Sequence, residues 1–444
     1  MEQSRRAITR RTFMKNVTAT VVMPYVVPAS VLGGEQRPAP SNRLTMGLIG
    51  LGSMGMRHVK GYLQEDDCRI VAVCDVDAGR RRAAAAEIHK AYGKSDCAQY
   101  NDFRDLIHRD DIDTLCISVP DHWHSIPAIM GIRAGKDIYG EKPLALTISE
   151  GRAIVEAVHR YRRVWQTGSW QRSTTHFRFA CELVRNQRIG KLQRVEVGIG
   201  GGYNPGGGQP TVTQIDPQLI MSVPEDLDYE MWLGPAPWAP YTEKRCHWNF
   251  RWILDHSGGQ VTDWGAHHID IAHWGMGCDD TGPVEVVGKG AFPKDGLWNT
   301  ATDYNFKCTY ANGLTMCVAS NNHYPQGVRF IGDRGWVHVT RSGLEASPKR
   351  LLKEKIGPEE INLPRPAGDH RQGHRRDFLD CVKTRAQTIS PAEAGHRSAT
   401  VAHLGNIAMI LGRKIRWNPK RQESVNDSAA NRMLGRAMRS PWSV

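Results

Sequence analysis

The stretch Met46-Gly-Leu-Ile-Gly-Leu-Gly-Ser-Met-Gly-Met56 decides how the rest of the chain is read. Met46, Leu48 and Ile49 form an apolar run of strand type, and Gly50, Gly52 and Gly55 follow it in the spacing G-x-G-x-x-G. In that pattern the first glycine permits a tight turn and the second lets backbone approach a pyrophosphate. The third lets a helix sit close to the strand before it, and the N–H groups of that helix's first turn face the phosphates. Three glycines at this spacing arise often by chance, so the flanks carry the argument. A helical segment, Arg57 to Leu63, comes next, then the strand Arg69-Ile-Val-Ala-Val-Cys-Asp75. An acid closing a second strand is placed to hold the ribose 2′-hydroxyl of NAD. Together these signals predict a dinucleotide-binding Rossmann half. Asp75 repels the 2′-phosphate of NADP, whereas Arg80, Arg81 and Arg82 favour it, so NAD is the expected cofactor and NADP the lesser candidate.

Working outward, strands and helices keep alternating. An alanine-rich basic helix (Ala78 to Tyr92) and a second around Phe103 to His108 precede the strand Thr114 to Val119, which ends in Pro120-Asp-His-Trp-His124. Helix Ser125 to Ala134, strand Asp137-Ile-Tyr139, the segment Gly140-Glu-Lys-Pro143 and helix Ser149 to Tyr161 follow, and a strand to Thr167 closes the domain near residue 170. This order predicts a doubly wound parallel sheet. Ligands bind beyond the carboxyl ends of such strands, where His122, His124, Glu141 and Lys142 lie.

Beyond residue 170 the pattern changes. After helix Phe177 to Arg185 comes a glycine-rich loop, Gly200 to Gly208, and strand candidates recur at Arg194 to Ile199, Val284 to Ala291, Thr302 to Tyr310, Leu314 to Ala319 and Gly335 to Thr340. Ala311-Asn-Gly-Leu is a hairpin signal between two of them. Few crossover helices intervene, which predicts an open, largely antiparallel sheet. Helices Gly373 to Thr384 and Glu393 to Leu411 end the fold, and residues 413–444 read as a loose basic arm.

The 444 residues carry a formal charge of +12, and its location matters more than its size. Residues 1–34 hold five basic side chains and one acid, and from Arg413 onward there are eight against two. The body between is nearly neutral, which argues against a nucleic-acid interface. Near the start, Thr9-Arg-Arg-Thr-Phe-Met-Lys15 fits the twin-arginine export pattern, with Val17 to Leu32 as its apolar region and Pro28-Ala-Ser30 near a cleavage point. Residues 1–34 are therefore expected to be a removable leader, with no stable membrane anchor and a periplasmic destination. None of the ten cysteines forms C-x-x-C, so neither a zinc site nor a redox dithiol is expected. Cys308 and Cys317 flank the Asn-Gly turn and are candidates for a cross-hairpin disulfide.

A G-x-G-x-x-G start, an acid after the second strand, Pro-Asp-His-Trp-His and then Glu-Lys-Pro together resemble the Gfo/Idh/MocA oxidoreductases, over roughly residues 43 to 420. The resemblance implies a Rossmann domain (43–170), a substrate-binding and oligomerisation α/β domain (171–412), and a homodimer or homotetramer. It also implies cofactor contacts from Gly50, Gly52, Ser53, Met54, Gly55, Asp75, Pro120, His122, His124, Glu141 and Lys142, with Lys142 lying between nicotinamide and substrate. Oxidising a secondary alcohol needs a base for the hydroxyl proton and a cation near the developing oxyanion, which suits a lysine there.

A second constellation is Gly258-Gly-Gln-Val-Thr-Asp-Trp-Gly-Ala-His-His-Ile-Asp270. Asp263, His267 and Asp270 share one face of a helix at this spacing. A carboxylate hydrogen-bonded to an imidazole would fix its tautomer and raise its basicity. The inositol-dehydrogenase branch carries an Asp and a His at this D-x-x-x-H spacing beside the lysine, which implies catalytic roles for Asp263 and His267. A helix cap with a core histidine is the plain alternative, and adjacent histidines splay too far apart for a metal site. Trp170, Gln171 and Arg172 lie where the family places residues near cofactor and substrate, and the role of Trp170 is left open. Trp248 and Arg251 combine an aromatic face for sugar C–H bonds with a donor for hydroxyls.

The expected activity is oxidation of a secondary hydroxyl of a sugar, glycoside or cyclitol, with a captive cofactor because free nucleotide is scarce outside the cytoplasm. Two alternatives stand beside it. One is an NAD-dependent glycoside hydrolase working by transient C3 oxidation and elimination. The other is a non-catalytic sugar-binding protein, for which a base would be superfluous.

Overall fold

The computed structural model describes residues 42–93, 96–201 and 220–444, and residues 44–444 form one unit. The export pattern at Thr9 to Leu32 and residues 202–208 of the glycine-rich loop lie outside the described residues. Strand β1 (Leu44–Ile49) leads through helix α1 (Ser53–Tyr62) to β2 (Cys68–Cys74), and α2 (Ala78–Tyr92) leads to β3 (Ala98–Tyr100). Helix α3 (Phe103–Ile107), β4 (Thr114–Ile117), α4 (Ser125–Arg133), β5 (Asp137–Gly140), α5 (Ile148–Tyr161) and β6 (Trp165–Thr167) complete the first half. All six strands run parallel in the order β3-β2-β1-β4-β5-β6, which reverses direction of growth between β1 and β4. That switch point is where doubly wound sheets bind dinucleotides. The strands are buried on both faces, as a sheet covered by helices on each side requires (Met46, Leu48, Ile70, Val73, Leu115 and Ile117 are all at most 1 % exposed).

The second half begins with α6 (Thr175–Arg185) and β7 (Leu192–Ile199). A helical segment α7 (Tyr229–Leu233) and two consecutive helices, α8 (Gln260–Asp263) and α9 (Gly265–Met276), follow. The chain then meanders through β8 (Glu285–Ala291), β9 (Asp303–Thr309), β10 (Thr315–Ser320), β11 (Gly327–Gly332), β12 (Trp336–Thr340) and β13 (Gly343–Ser347). Helices α10 (His370–Thr384) and α11 (Ala392–Leu411) and strands β14 (Ile415–Asn418) and β15 (Glu423–Ser424) complete the fold. Nine strands form one sheet, β13-β12-β11-β7-β10-β9-β8-β14-β15, antiparallel throughout except for the β7–β10 pair. Its inner face packs Val195, Val197, Phe306, Val318 and Phe330 against Ile269, Ala272 and Leu404 of α9 and α11. The outer face is exposed along β9, at Asn305 and Lys307, and covered at Glu196 and Ala319 of the central strands.

Two expectations are corrected here. The basic C-terminal stretch is not a loose arm: β14 pairs with β8, and the chain then returns to the parallel half. There Trp442 stacks edge-on against Trp123 at 4.7 Å, and Arg436 donates to buried Glu150 at 2.8 Å. Its basic residues are therefore partly counter-ions for acids of the body. The cross-hairpin cysteine pair is also absent: Cys308 lies opposite Met316 and Cys317 opposite Lys307. An offset of one residue puts the two thiols on opposite faces of the sheet, because strand side chains alternate. Among the described residues no helix is long and apolar enough to cross a membrane.

Candidate active site

One cavity of about 460 Å³ runs along the carboxyl ends of the parallel strands and on under the second half. Its first wall is the glycine turn. Gly50 has φ +87°, and a Cβ there would lie 2.6 Å from the Ser118 carbonyl oxygen. Gly55 lies beneath the turn rather than in the cavity wall, and a Cβ on it would come within 2.0 Å of Gly50 O, so α1 can approach β1 only with glycine there. Gly52, Ser53 and Met54 line the cavity at the start of α1, where free N–H groups gather. Asp75 closes β2 and accepts from Leu51 N at 2.6 Å and Asp77 N at 2.9 Å. Burial raises its carboxyl above the ordinary value, and those N–H bonds oppose the shift. Of the three nearby arginines Arg80 lines the cavity, while Arg81 bonds Asn101 and Arg82 bonds Asp226. The glycine cradle, helix N-terminus and strand-end acid fit a dinucleotide by their own geometry.

The second wall comes from β4 and β5. His124 joins its Nδ1 to Pro143 O at 2.6 Å and its Nε2 to Val119 O at 2.9 Å. It thus clamps together the strand ends that carry Pro120 and Lys142. Glu141, at the cavity edge, binds His58 Nε2 at 2.9 Å. Burial would raise its carboxyl, but His58 and then Lys142 together outweigh that and hold it low. His122 is corrected: it is fully buried outside the cavity wall, with Nε2 3.0 Å from Trp232 O.

Lys142, Asp263 and His267 all line the far end. The Lys142 ammonium donates to Asp263 Oδ1, and Arg251 Nε lies 3.5 Å from Asp263 Oδ2. Burial alone would raise the Asp263 carboxyl, and the two cations overcome it and hold it below its usual value. His267 is held neutral at physiological pH, first by burial and then by the charges of Lys142 and Arg341. Its Nδ1 is buried without a hydrogen-bond partner. The expected carboxylate–imidazole bond does not form. Asp263 turns to Lys142, and Asp270 turns the other way to Arg172, at 2.8 Å through each oxygen.

The same pairing corrects the expectation that Arg172 stands at the substrate. It is 1 % exposed and grips Asp270 and Asp279 behind the cavity. Gln171 is likewise fully buried; with its amide oriented to satisfy both neighbours, it donates to His267 O at 3.1 Å and accepts from Arg341 Nε at 3.1 Å. Trp248, 55 % exposed, lies under Arg251, whose Cζ is 4.3 Å from its ring centroid. The sequence reading missed Arg341, Arg371, Phe250 and Trp264, all cavity residues. Trp264 and Phe250 stand inside stretches already singled out, whereas neither arginine sits in a motif; β12 and α10 deliver them from more than a hundred residues beyond the glycine turn. No group of three or more potential metal ligands is found among the described residues.

Comparison with known proteins agrees with this layout. Residues 44–169 match the family model described as "Oxidoreductase family, NAD-binding Rossmann fold", and residues 175–444 match "Oxidoreductase family, C-terminal alpha/beta domain". The "Uncharacterized oxidoreductase YrbE" of Bacillus subtilis is 26 % identical over 387 residues, covering 84 % of this chain and 96 % of YrbE. A "Glycosyl hydrolase family 109 protein" of Shewanella pealeana is 36 % identical over 122 residues, 27 % of this chain and 26 % of that one. Among solved structures, the aldose–aldose oxidoreductase of Caulobacter crescentus in complex with glycerol superposes with a TM-score of 0.61 at 20 % identity, covering 84 % of this chain and 99 % of that one.

Proposed function

Because the chain belongs to the Gfo/Idh/MocA oxidoreductase family, we propose that it oxidises a secondary hydroxyl of a sugar, glycoside or cyclitol by hydride transfer. Its NAD-binding Rossmann domain would hold the cofactor on Gly50, Gly52, Ser53 and Asp75, with Glu141 and Lys142 at the nicotinamide end. When bound, the nicotinamide supplies the hydride acceptor. The observation that carries the reading is the meeting of Lys142, Asp263 and a neutral His267 at one end of the nucleotide-sized cavity. A neutral buried imidazole accepts the hydroxyl proton, and the Lys142 ammonium steadies the negative charge that grows on the substrate oxygen. Asp263 holds Lys142 in place and limits the positive charge of the site.

The proposal includes export, supported by the twin-arginine pattern of residues 9–32, and a captive cofactor recycled within the site. It also includes a homo-oligomer, supported by the outer face of the nine-stranded sheet where it is exposed along β9. A second reading is redox-neutral glycoside cleavage, favoured by the 36 % identity to the family 109 relative over 122 residues. One experiment separates these. The purified protein is denatured and any released nucleotide identified by mass spectrometry, and the native protein is then offered a panel of sugars and aryl glycosides. Stoichiometric NAD or NADH with net sugar oxidation supports the leading reading, and aglycone release without net redox supports the second. Protein that neither carries nor binds either nucleotide overturns both.

A further inference from the structure

Two half-buried arginines of the cavity stand without an acid among the described residues. Arg341 follows β12 and Arg371 opens α10, and both line the cavity that holds Lys142 and His267. The Arg341 Cζ lies 4.1 Å from the Trp264 ring centroid and 4.8 Å from that of Trp170. The Arg371 Cζ lies 4.3 Å from the same Trp170 ring. Neither guanidinium forms an ion pair with any described carboxylate, and Arg371 Nε is buried with no hydrogen-bond partner. Other cavity arginines are provided for: Arg80 is 3.5 Å from Asp77, Arg251 is 3.5 Å from Asp263, and Arg57 is exposed.

The acids of the cavity are committed elsewhere. Asp263 answers Lys142 and Arg251, Glu141 answers His58, Asp75 is taken by backbone N–H groups, and Asp121 accepts from Ser257 at 2.6 Å. Burial, followed by the charge of Arg371, pushes Arg341 down to about 10. Stacking on indole faces offsets only part of the hydration these cations give up. A planar guanidinium fork is matched by a planar carboxylate. The dinucleotide's own pyrophosphate is the other anion available, but its cradle is the start of α1. Arg341 stands instead among Trp264, Trp170 and His267, where both indoles lie 6.2 Å from the imidazole, ring centre to ring centre.

We propose that the substrate carries a carboxylate, as uronic and aldonic acids do, and that Arg341 and Arg371 hold it beside the proton-transfer group. The proposal rests on the oxidoreductase reading for its substrate class, yet its test reads binding and not turnover. NAD-loaded protein is titrated calorimetrically with D-glucuronate, D-galacturonate and D-gluconate, each against its neutral counterpart D-glucose, D-galactose or D-glucitol. The expected result is an acid preference of about 10- to 100-fold in at least one pair, the span for one charge-assisted contact. That preference collapses in Arg341→Gln and Arg371→Gln, while NAD affinity measured in parallel is unchanged. No preference in any wild-type pair overturns the proposal, and this arm does not depend on the variants folding. Loss of NAD affinity by the same factor in the variants overturns it too, by assigning the arginines to the pyrophosphate. An acid that binds with the expected preference but is never oxidised leaves the carboxylate site standing and counts against the redox reading alone.

Discussion

Replacing Arg172 by Met should unfold the protein more readily without changing how its folded fraction handles substrate. Arg172 makes four charge-assisted contacts, at 2.8 Å to each oxygen of Asp270 and at 2.8 and 2.7 Å to the two oxygens of Asp279. It is 1 % exposed and Asp270 is 1 % exposed, so the variant leaves a buried carboxylate with no counter-charge. Removing one partner of such a pair costs about 3–5 kcal/mol. With an unfolding entropy of about 2.1 cal/mol/K per residue over the roughly 400 residues of the folded unit, a 4 kcal/mol loss lowers Tm by about 5 °C. Acid should narrow the gap. Burial raises Asp270 to about 6 even against Arg172, so the folded state takes up its proton before the unfolded chain does, which titrates near 3.8. Folding therefore gains from protonation of this group as pH falls from above 6 towards 4, and the variant, lacking Arg172, gains more. The assay is denaturant unfolding of wild type and variant at pH 8 and pH 5, with KM measured on the folded fraction. A variant that unfolds with wild-type stability but has lost substrate affinity would refute the structural role and return Arg172 to the substrate.

Three further outcomes are expected. Because His267 is held neutral well below pH 6.5, wild-type kcat/KM should stay level as pH falls through 6.5 and decline only below it. The His267→Gln variant should lose about 10²- to 10⁴-fold in rate together with that acid limb, and an acid limb that persists would assign it to another group. Gly50→Ala forces a side chain into φ +87° against the Ser118 carbonyl; the strain of about 1–3 kcal/mol should appear as weakened NAD binding in a fluorescence titration. Trp442→Ala removes the ring packed on Trp123 and Phe103 and should cost about 1–3 kcal/mol, less than a fully buried tryptophan. Unchanged unfolding would show that the Trp442 packing contributes nothing to the stability of the body.

The sequence by itself determined the parallel half almost strand for strand, because its signals are local. An apolar run, a glycine turn and a strand-end acid each depend on neighbours a few residues away, so Gly50, Gly52 and Asp75 can be picked out from the order of residues alone. Lys142 is readable for the same reason, standing at a strand end in a short motif. The second half is legible as a meander of strands, but β11, β13 and the β14–β15 pair are not, since their short half-exposed sequences carry little periodicity. Tertiary structure alone decided the pairing of charges. Asp263, His267 and Asp270 share a helical spacing, yet which partner each takes depends on Lys142 and Arg172, which come from distant segments. Packing turned Arg172 inward to two acids and left Arg341 and Arg371, which no motif marks, facing the cavity. Local spacing constrains which side chains share a face. Only the folded chain sets which charge from a hundred residues away is brought within reach, and which meets no counter-charge among the described residues.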